Sequence, residues 1–311
     1  MRSGILPALA TYAGSWGMGS PPGDMKQEET PAGQAWGGRG DASADAAEAP
    51  SPRPSPRGRG GGRVRRGYTD GMRIDLFIPC FVDQMAPRVG MAVAHVLERL
   101  GHTCEFRPAQ TCCGQPSFNA GYWDEARAVA IRTVGVFAGT EAVVGPSGSC
   151  VAMLRVFYPQ LLAGTPHETA ALDLAARTFE FGEFLVKKLG VTDVGARFPH
   201  RVTYHDGCHG LRELRVKEEP RMLLKAVRDL ELVECDEPES CCGFGGLFSV
   251  KYPMISTAMA EVKGGSLART DCDYIVSSDP SCQLQLDGWL SRQGKKPRTI
   301  HLAEVLAGAD A

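Results

Sequence analysis

Four cysteines recur as a second set of four further along this 311-residue chain, at nearly constant displacement. Cys80, Cys112, Cys113 and Cys150 reappear as Cys208, Cys241, Cys242 and Cys282, offset by 128, 129, 129 and 132 residues. The flanking pattern repeats with them. Strand-like runs at Ile74–Ile78, Thr103–Phe106 and Ala142–Gly145 lead into the first set, and runs at Arg201–His205, Leu230–Glu234 and Tyr274–Ser278 lead into the second. Helical spacing over Met91–Leu100, stopped by Gly101, and over Trp123–Phe137 fills the intervals of the first half. A β-α-β alternation duplicated over about 120 residues predicts an α/β protein of two pseudo-symmetric lobes, each a mostly parallel sheet flanked by helices. The expected boundaries are a first lobe at 72–195 and a second at 196–311, joined where VTDVGARFPH interrupts the helical pattern.

Residues 1–71 read differently. They hold 15 glycines and 8 prolines and include the run PSPRPSPRGRGGGRVRRG, which offers no apolar face to bury. A disordered low-complexity tail without a role of its own is expected there, in preference to a basic arm for nucleic acid, and Met72 is read as a candidate start codon. The opening residues MRSGILPALATYAGSWGMGS lack the apolar core of a secretion signal, and no run approaches the length of a membrane span. With a formal net charge of −2, no global field would recruit nucleic acid. A cytoplasmic location is expected.

That compartment decides how eleven cysteines are read. Disulfide frameworks belong to small exported domains, whereas reduced thiols in a chain of this size point to metal ligation or redox chemistry. Every repeated cysteine follows a strand, and loops after strand carboxyl ends form the ligand crevice of α/β sheets. Four thiols are therefore expected to converge at one edge of each sheet. Zinc sites draw on short C-x₂-C knuckles, of which there are none here, and adjacent cysteines rarely turn toward one ion. A multi-iron cluster accepts neighbouring thiolates more readily, so iron–sulfur is favoured over a structural zinc protein. Gly114 and Gly243, directly after the cysteine pairs, allow sharp turns that aim backbone amides at sulfur.

The remaining candidates are less distinctive. Cys104, Cys235 and Cys272 lie in or beside strands and are read as core residues. Asp206 is expected to cap a helix starting near Gly210. Tyr122 and Trp123 are expected to pack as core residues at a helix start, and Pro79, Pro146 and Pro280 to shape the loops before their cysteines. His205 and His209 flank Cys208, each open to two readings: a proton carrier or cluster neighbour, or a loop histidine bonded to backbone.

The motifs IPCFVDQMAP, QTCCGQP, GPSGSC, YHDGCHG, CCGFGG and SSDPSC resemble the duplicated cysteine-rich CCG domain over essentially all of 72–311. One of the subunits of heterodisulfide reductase, the glycolate oxidase iron–sulfur subunit and one of the subunits of anaerobic glycerol-3-phosphate dehydrogenase share that domain. The details are most similar to the lactate utilization protein A family. The resemblance implies an iron–sulfur electron-transfer subunit of a cytosolic complex oxidising L-lactate to pyruvate, beside a ferredoxin-type iron–sulfur subunit and a third subunit. It implies one or two [4Fe–4S] clusters per chain, held by Cys80, Cys112, Cys113 and Cys150 and by Cys208, Cys241, Cys242 and Cys282. The full family pattern ends each copy in C-x₂-C. Here Ser147 and Asp279 take the first position of that pair, leaving four thiols per copy and making these two residues, with His209, auxiliary candidates. A heterodisulfide-reductase-like disulfide cleavage, or service to glycolate or glycerol-3-phosphate oxidation, is the alternative.

Overall fold

The computed structural model describes residues 71–308. It contains two four-stranded sheets of identical topology. In the first, β1 (Arg73–Leu76), β2 (Thr103–Phe106), β3 (Ala142–Gly145) and β4 (Thr178–Glu180) lie in the order β2-β1-β3-β4. In the second, β5 (Arg201–His205), β6 (Glu231–Val233), β7 (Tyr274–Ser277) and β8 (Arg298–His301) lie in the order β6-β5-β7-β8. Every pairing is parallel. Register matches as well: Ile74 sits beside Ala142, the first residue of β3, as Val202 sits beside Tyr274, the first residue of β7. The expected α/β fold of two related lobes is what the chain adopts.

Burial explains why these short runs become strands. All four residues of β3 are buried, and so are Ile74, Asp75 and Leu76 of β1, because helices cover both faces as parallel sheets require. The helix Pro87–Arg99 starts on a proline, whose missing N–H costs nothing in the first turn. Its Val89, Val93, Val96 and Leu97 are buried as one stripe. A single apolar core runs through both lobes, joining Ile74, Leu97, Phe184, Tyr204, Leu223 and Leu302. Each lobe then adds a smaller cluster of its own, around Phe77, Phe137 and Tyr158 in the first and around Ile275, Leu286 and Leu290 in the second.

Three differences from expectation have plain causes. β4 and β8 are outer strands of three and four residues, too short to show a period in sequence. Tyr122 and Trp123 are exposed, because the helix Trp123–Val136 buries Ala126, Ala130, Thr133 and Val134 and turns its first residues outward. Asp206 caps nothing: the helix after it, Cys208–Arg212, has Gly207 at its N-cap, and the Asp206 carboxylate is taken by Arg221 at 2.9 and 2.7 Å. Cys104, Cys235 and Cys272 are buried, as expected. Between the lobes, 191–200 carries no helix or strand beyond a bridge between Arg197 and Arg228. The tail expected over 1–71 lies outside the described residues, apart from Gly71. Among the described residues no helix is long and apolar enough to cross a membrane.

Candidate metal centre

The six cysteine-bearing segments all leave carboxyl ends of strands. After β1, Cys80 opens the helix Cys80–Met85 with Pro79 at its N-cap. After β5, Cys208 opens the helix Cys208–Arg212. Cys112-Cys113 and Cys241-Cys242 sit in the loops after β2 and β6. Cys150 and Cys282 lie in the first turn of the helices Gly148–Ala152 and Pro280–Arg292, after β3 and β7. All eight thiols line one cavity, which therefore draws on both lobes. Every cysteine is a free thiol.

Within each set the thiols interact in series: Cys80 with Cys112, Cys112 with Cys113, Cys113 with Cys150. The second set runs Cys208, Cys241, Cys242, Cys282 in the same sequence. One thiol per set is held as a ready thiolate. Hydrogen bonds from Cys113 and Cys80 pull Cys112 down to about 3, and those from Cys208 and Cys242 pull Cys241 down to about 2. Their donors move the opposite way, with Cys80, Cys113, Cys208 and Cys242 all raised, first by those same hydrogen bonds and then by burial. The backbone contributes symmetrically. Gly114 N–H donates to Cys112 Sγ at 3.4 Å, and Gly243 N–H to Cys241 Sγ at 3.4 Å. Both glycines have left-handed φ, +79° and +84°, and a Cβ on Gly243 would lie 2.5 Å from the Ser256 carbonyl oxygen. Glycine is required there by conformation and by space.

The three auxiliary candidates tie the lobes together. Asp279, buried in the second lobe, accepts through Oδ1 from Ser147 Oγ at 2.9 Å, Ser149 N–H at 3.2 Å and Ser149 Oγ at 3.0 Å, all in the first. Ser147 also caps the helix that carries Cys150, accepting from Cys150 N–H. His209 places Nδ1 3.6 Å from Cys208 Sγ and Nε2 3.4 Å from Gln115 Nε2 of the first lobe. Phe81 and Phe244 meet edge-on across the lobes with centroids 6.0 Å apart, beside the cavity they help to line.

Two participants escape sequence reasoning, and a third, His205, is read there with two roles left open. Gln115 gives no signal beyond its place after a CCG motif. Lys263 is a fully buried lysine on the helix Pro253–Ala268, on the same stripe as Ser256, Ala260 and Leu267, a place where lysine is seldom found. His205 stands out in sequence only as a neighbour of Cys208. It is buried at the end of β5, and neither ring nitrogen has a hydrogen-bond partner, which excludes a histidine bonded to backbone. An unmet buried polar group costs about 1–3 kcal/mol. One ring nitrogen lies within 4.8 Å of both Cys242 Sγ and Cys282 Sγ. Four thiols per set, a stabilised thiolate in each, amides aimed at sulfur and an orphaned imidazole form a donor set suited to a soft metal centre, and they fit an iron–sulfur cluster.

Comparison with known proteins shows which family the chain belongs to. The Cysteine-rich domain family (CCG) matches twice, over 74–155 and 202–287. The chain is similar to Lactate utilization protein A of Oceanobacillus iheyensis, 44% identical over 236 residues that cover 76% of this chain and 96% of that protein. The proteins of the same name from Bacillus pumilus and Geobacillus kaustophilus are 47% and 45% identical over 236 residues, covering 76% of this chain and 99% and 98% of their own length.

Proposed function

The chain belongs to the lactate utilization protein A family, built on two cysteine-rich domains, and from that premise we propose that it is an iron–sulfur electron-transfer subunit in the oxidation of L-lactate to pyruvate. One observation carries the reading: two sets of four thiols, each at the carboxyl edge of its own sheet, open on one shared cavity. Cys80, Cys112, Cys113 and Cys150 would hold one cluster, and Cys208, Cys241, Cys242 and Cys282 the other. The domains that carry them are 72–195 and 196–311. Bound there, such clusters supply one-electron redox chemistry.

The chain's own residues do the rest. Gly114 and Gly243 donate N–H bonds that favour the thiolate forms of Cys112 and Cys241. Phe81 and Phe244 line part of the cavity with aromatic surface from the two lobes. Asp279, Ser147 and Ser149 hold the helix bearing Cys150 against the segment leading to Cys282, which fixes one thiol set relative to the other. In this reading lactate is bound elsewhere in a cytosolic complex, whose other members are a ferredoxin-type iron–sulfur subunit and a third subunit, and this chain passes electrons between them.

Anaerobic purification with counting of iron, zinc and acid-labile sulfide tests the proposal. About eight irons and eight sulfides per chain support two [4Fe–4S] clusters, and about four of each confine the function to one lobe. Zinc without sulfide would overturn it.

A further inference from the structure

The two thiol sets have matching cysteines but unlike surroundings. Parallel register makes Phe77 and His205 equivalent: each follows the residue paired with the third position of the central neighbouring strand, Leu76 beside Val144 and Tyr204 beside Val276. Phe77 is fully buried in the cluster that contains Cys113 and Cys150, edge-on to Phe137 at 5.8 Å. His205 is as deeply buried and lies within 4.8 Å of Cys242 Sγ and Cys282 Sγ, the equivalent two cysteines. Where the first lobe packs a phenyl ring against its thiols, the second presents an imidazole with both nitrogens unmet.

We propose that His205 is a metal ligand of the second lobe's centre, which makes that centre mixed sulfur–nitrogen while the first lobe's is bound by thiolate alone. The inference rests on the iron–sulfur reading given above. The geometry supplies what a ligand needs, since both ring nitrogens are buried without a hydrogen-bond partner and one of them faces two thiols of the set. Lys263 adds a second asymmetry. Its Nζ donates to Glu237 O at 2.6 Å, Pro238 O at 2.8 Å and Cys235 Sγ at 3.7 Å, three acceptors for the three protons of an ammonium. The helix Trp123–Val136 of the first lobe has no lysine and buries none of its charged side chains. The buried Lys263 cation favours the reduced form of a cluster, whereas His205, a neutral donor added to four thiolates, leaves the ligand charge unchanged. A cluster bound beside that cation would hold an electron more tightly than one bound by the first set.

The test uses the full chain, purified anaerobically, loaded with iron and sulfide, and labelled with ¹⁵N-histidine. Pulsed magnetic resonance on the chemically reduced protein should show a strong ¹⁵N coupling on one of two centres. His209→Ala, which removes the other nearby ring, should keep that coupling, and His205→Phe should abolish it with iron and sulfide unchanged. Phe77→His should create a second nitrogen-coupled centre. Because the labelled wild-type chain is itself informative, a variant that fails to fold does not shelter the proposal. Clusters present without nitrogen coupling, or coupling lost in His209→Ala and kept in His205→Phe, overturn it and leave the electron-transfer reading standing. A wild-type chain without iron and sulfide overturns both.

Discussion

Asp279 stands where the full cysteine-rich pattern has a ligand cysteine, and the structure gives it a different task. Its Oδ1 accepts three hydrogen bonds from the opposite lobe, at 2.9, 3.2 and 3.0 Å, inside a buried contact. Asp279→Ala deletes the acceptor and strands three donors. Hydrogen bonds to a charged acceptor contribute about 1.5–3 kcal/mol each, but these three share one oxygen. Ser147 Oγ and Ser149 Oγ lie 3.1 Å apart and can partly satisfy one another once the carboxylate is gone. The expected loss is thus about 3–4 kcal/mol, less than the sum of three separate bonds. For a folded body of this size that lowers Tm by roughly 6–16 °C. Asp279→Asn keeps a carbonyl oxygen at the same place and should lose about half as much.

Scanning calorimetry of the anaerobic protein measures the stability change, and metal analysis of the same samples separates the two possible roles of the carboxylate. If Asp279 ties the lobes, the alanine variant melts early with its iron and sulfide content unchanged. Full thermal stability together with loss of iron would refute the reasoning and make the carboxylate a ligand.

Three further outcomes are expected. Cys113→Ala and Cys242→Ala should each remove the visible charge-transfer absorption of one centre, and unchanged spectra in both would dissolve the two ligand sets. Gly243→Ala places a Cβ 2.5 Å from a backbone carbonyl at φ +84°, so it should cost about 2–4 kcal/mol and lower metal content, whereas Gly294→Ala, at φ +60° with open space around it, should cost about 1 kcal/mol by thermal denaturation. Glu180 is buried with Oε1 unmet, and burial raises its pKa to about 8. The folded state thus binds a proton that the unfolded chain releases near its ordinary carboxyl pKa. That stability is present at acid pH and is lost as pH rises to about 8, by up to about 5 kcal/mol. Glu180→Gln, which mimics the protonated acid, should flatten the dependence of Tm on pH between 5 and 9, and a slope as steep as wild type would count against a neutral Glu180.

What can be read along the chain is whatever repeats along it. The strand-to-cysteine loops of the two lobes obey local rules (an apolar run, a turn, a glycine that must take positive φ), so the sets at Cys80 and Cys208 and their shared α/β frame are visible in the sequence alone. Contacts between the copies follow no local rule. Ser147 and Asp279 are marked in sequence only because they replace cysteine, and their bond spans 132 residues. Asp206 reads as a cap because capping is a local property, yet Arg221 claims it from the far end of an intervening turn and helix and stacks over Tyr204 at 5.3 Å. Glycines show the same division. Gly114 and Gly243 announce themselves beside cysteine pairs, while Gly148 and Gly207 look like ordinary loop glycines. A Cβ on Gly148 would approach Gly210 Cα to 3.1 Å, and one on Gly207 would reach Asp279 Oδ2 at 2.3 Å. Small residues at these places let the two cysteine-bearing helices cross closely enough for eight thiols to share one cavity. Duplication accounts for each thiol set separately, and the glycine crossing together with the Asp279 tie accounts for their meeting.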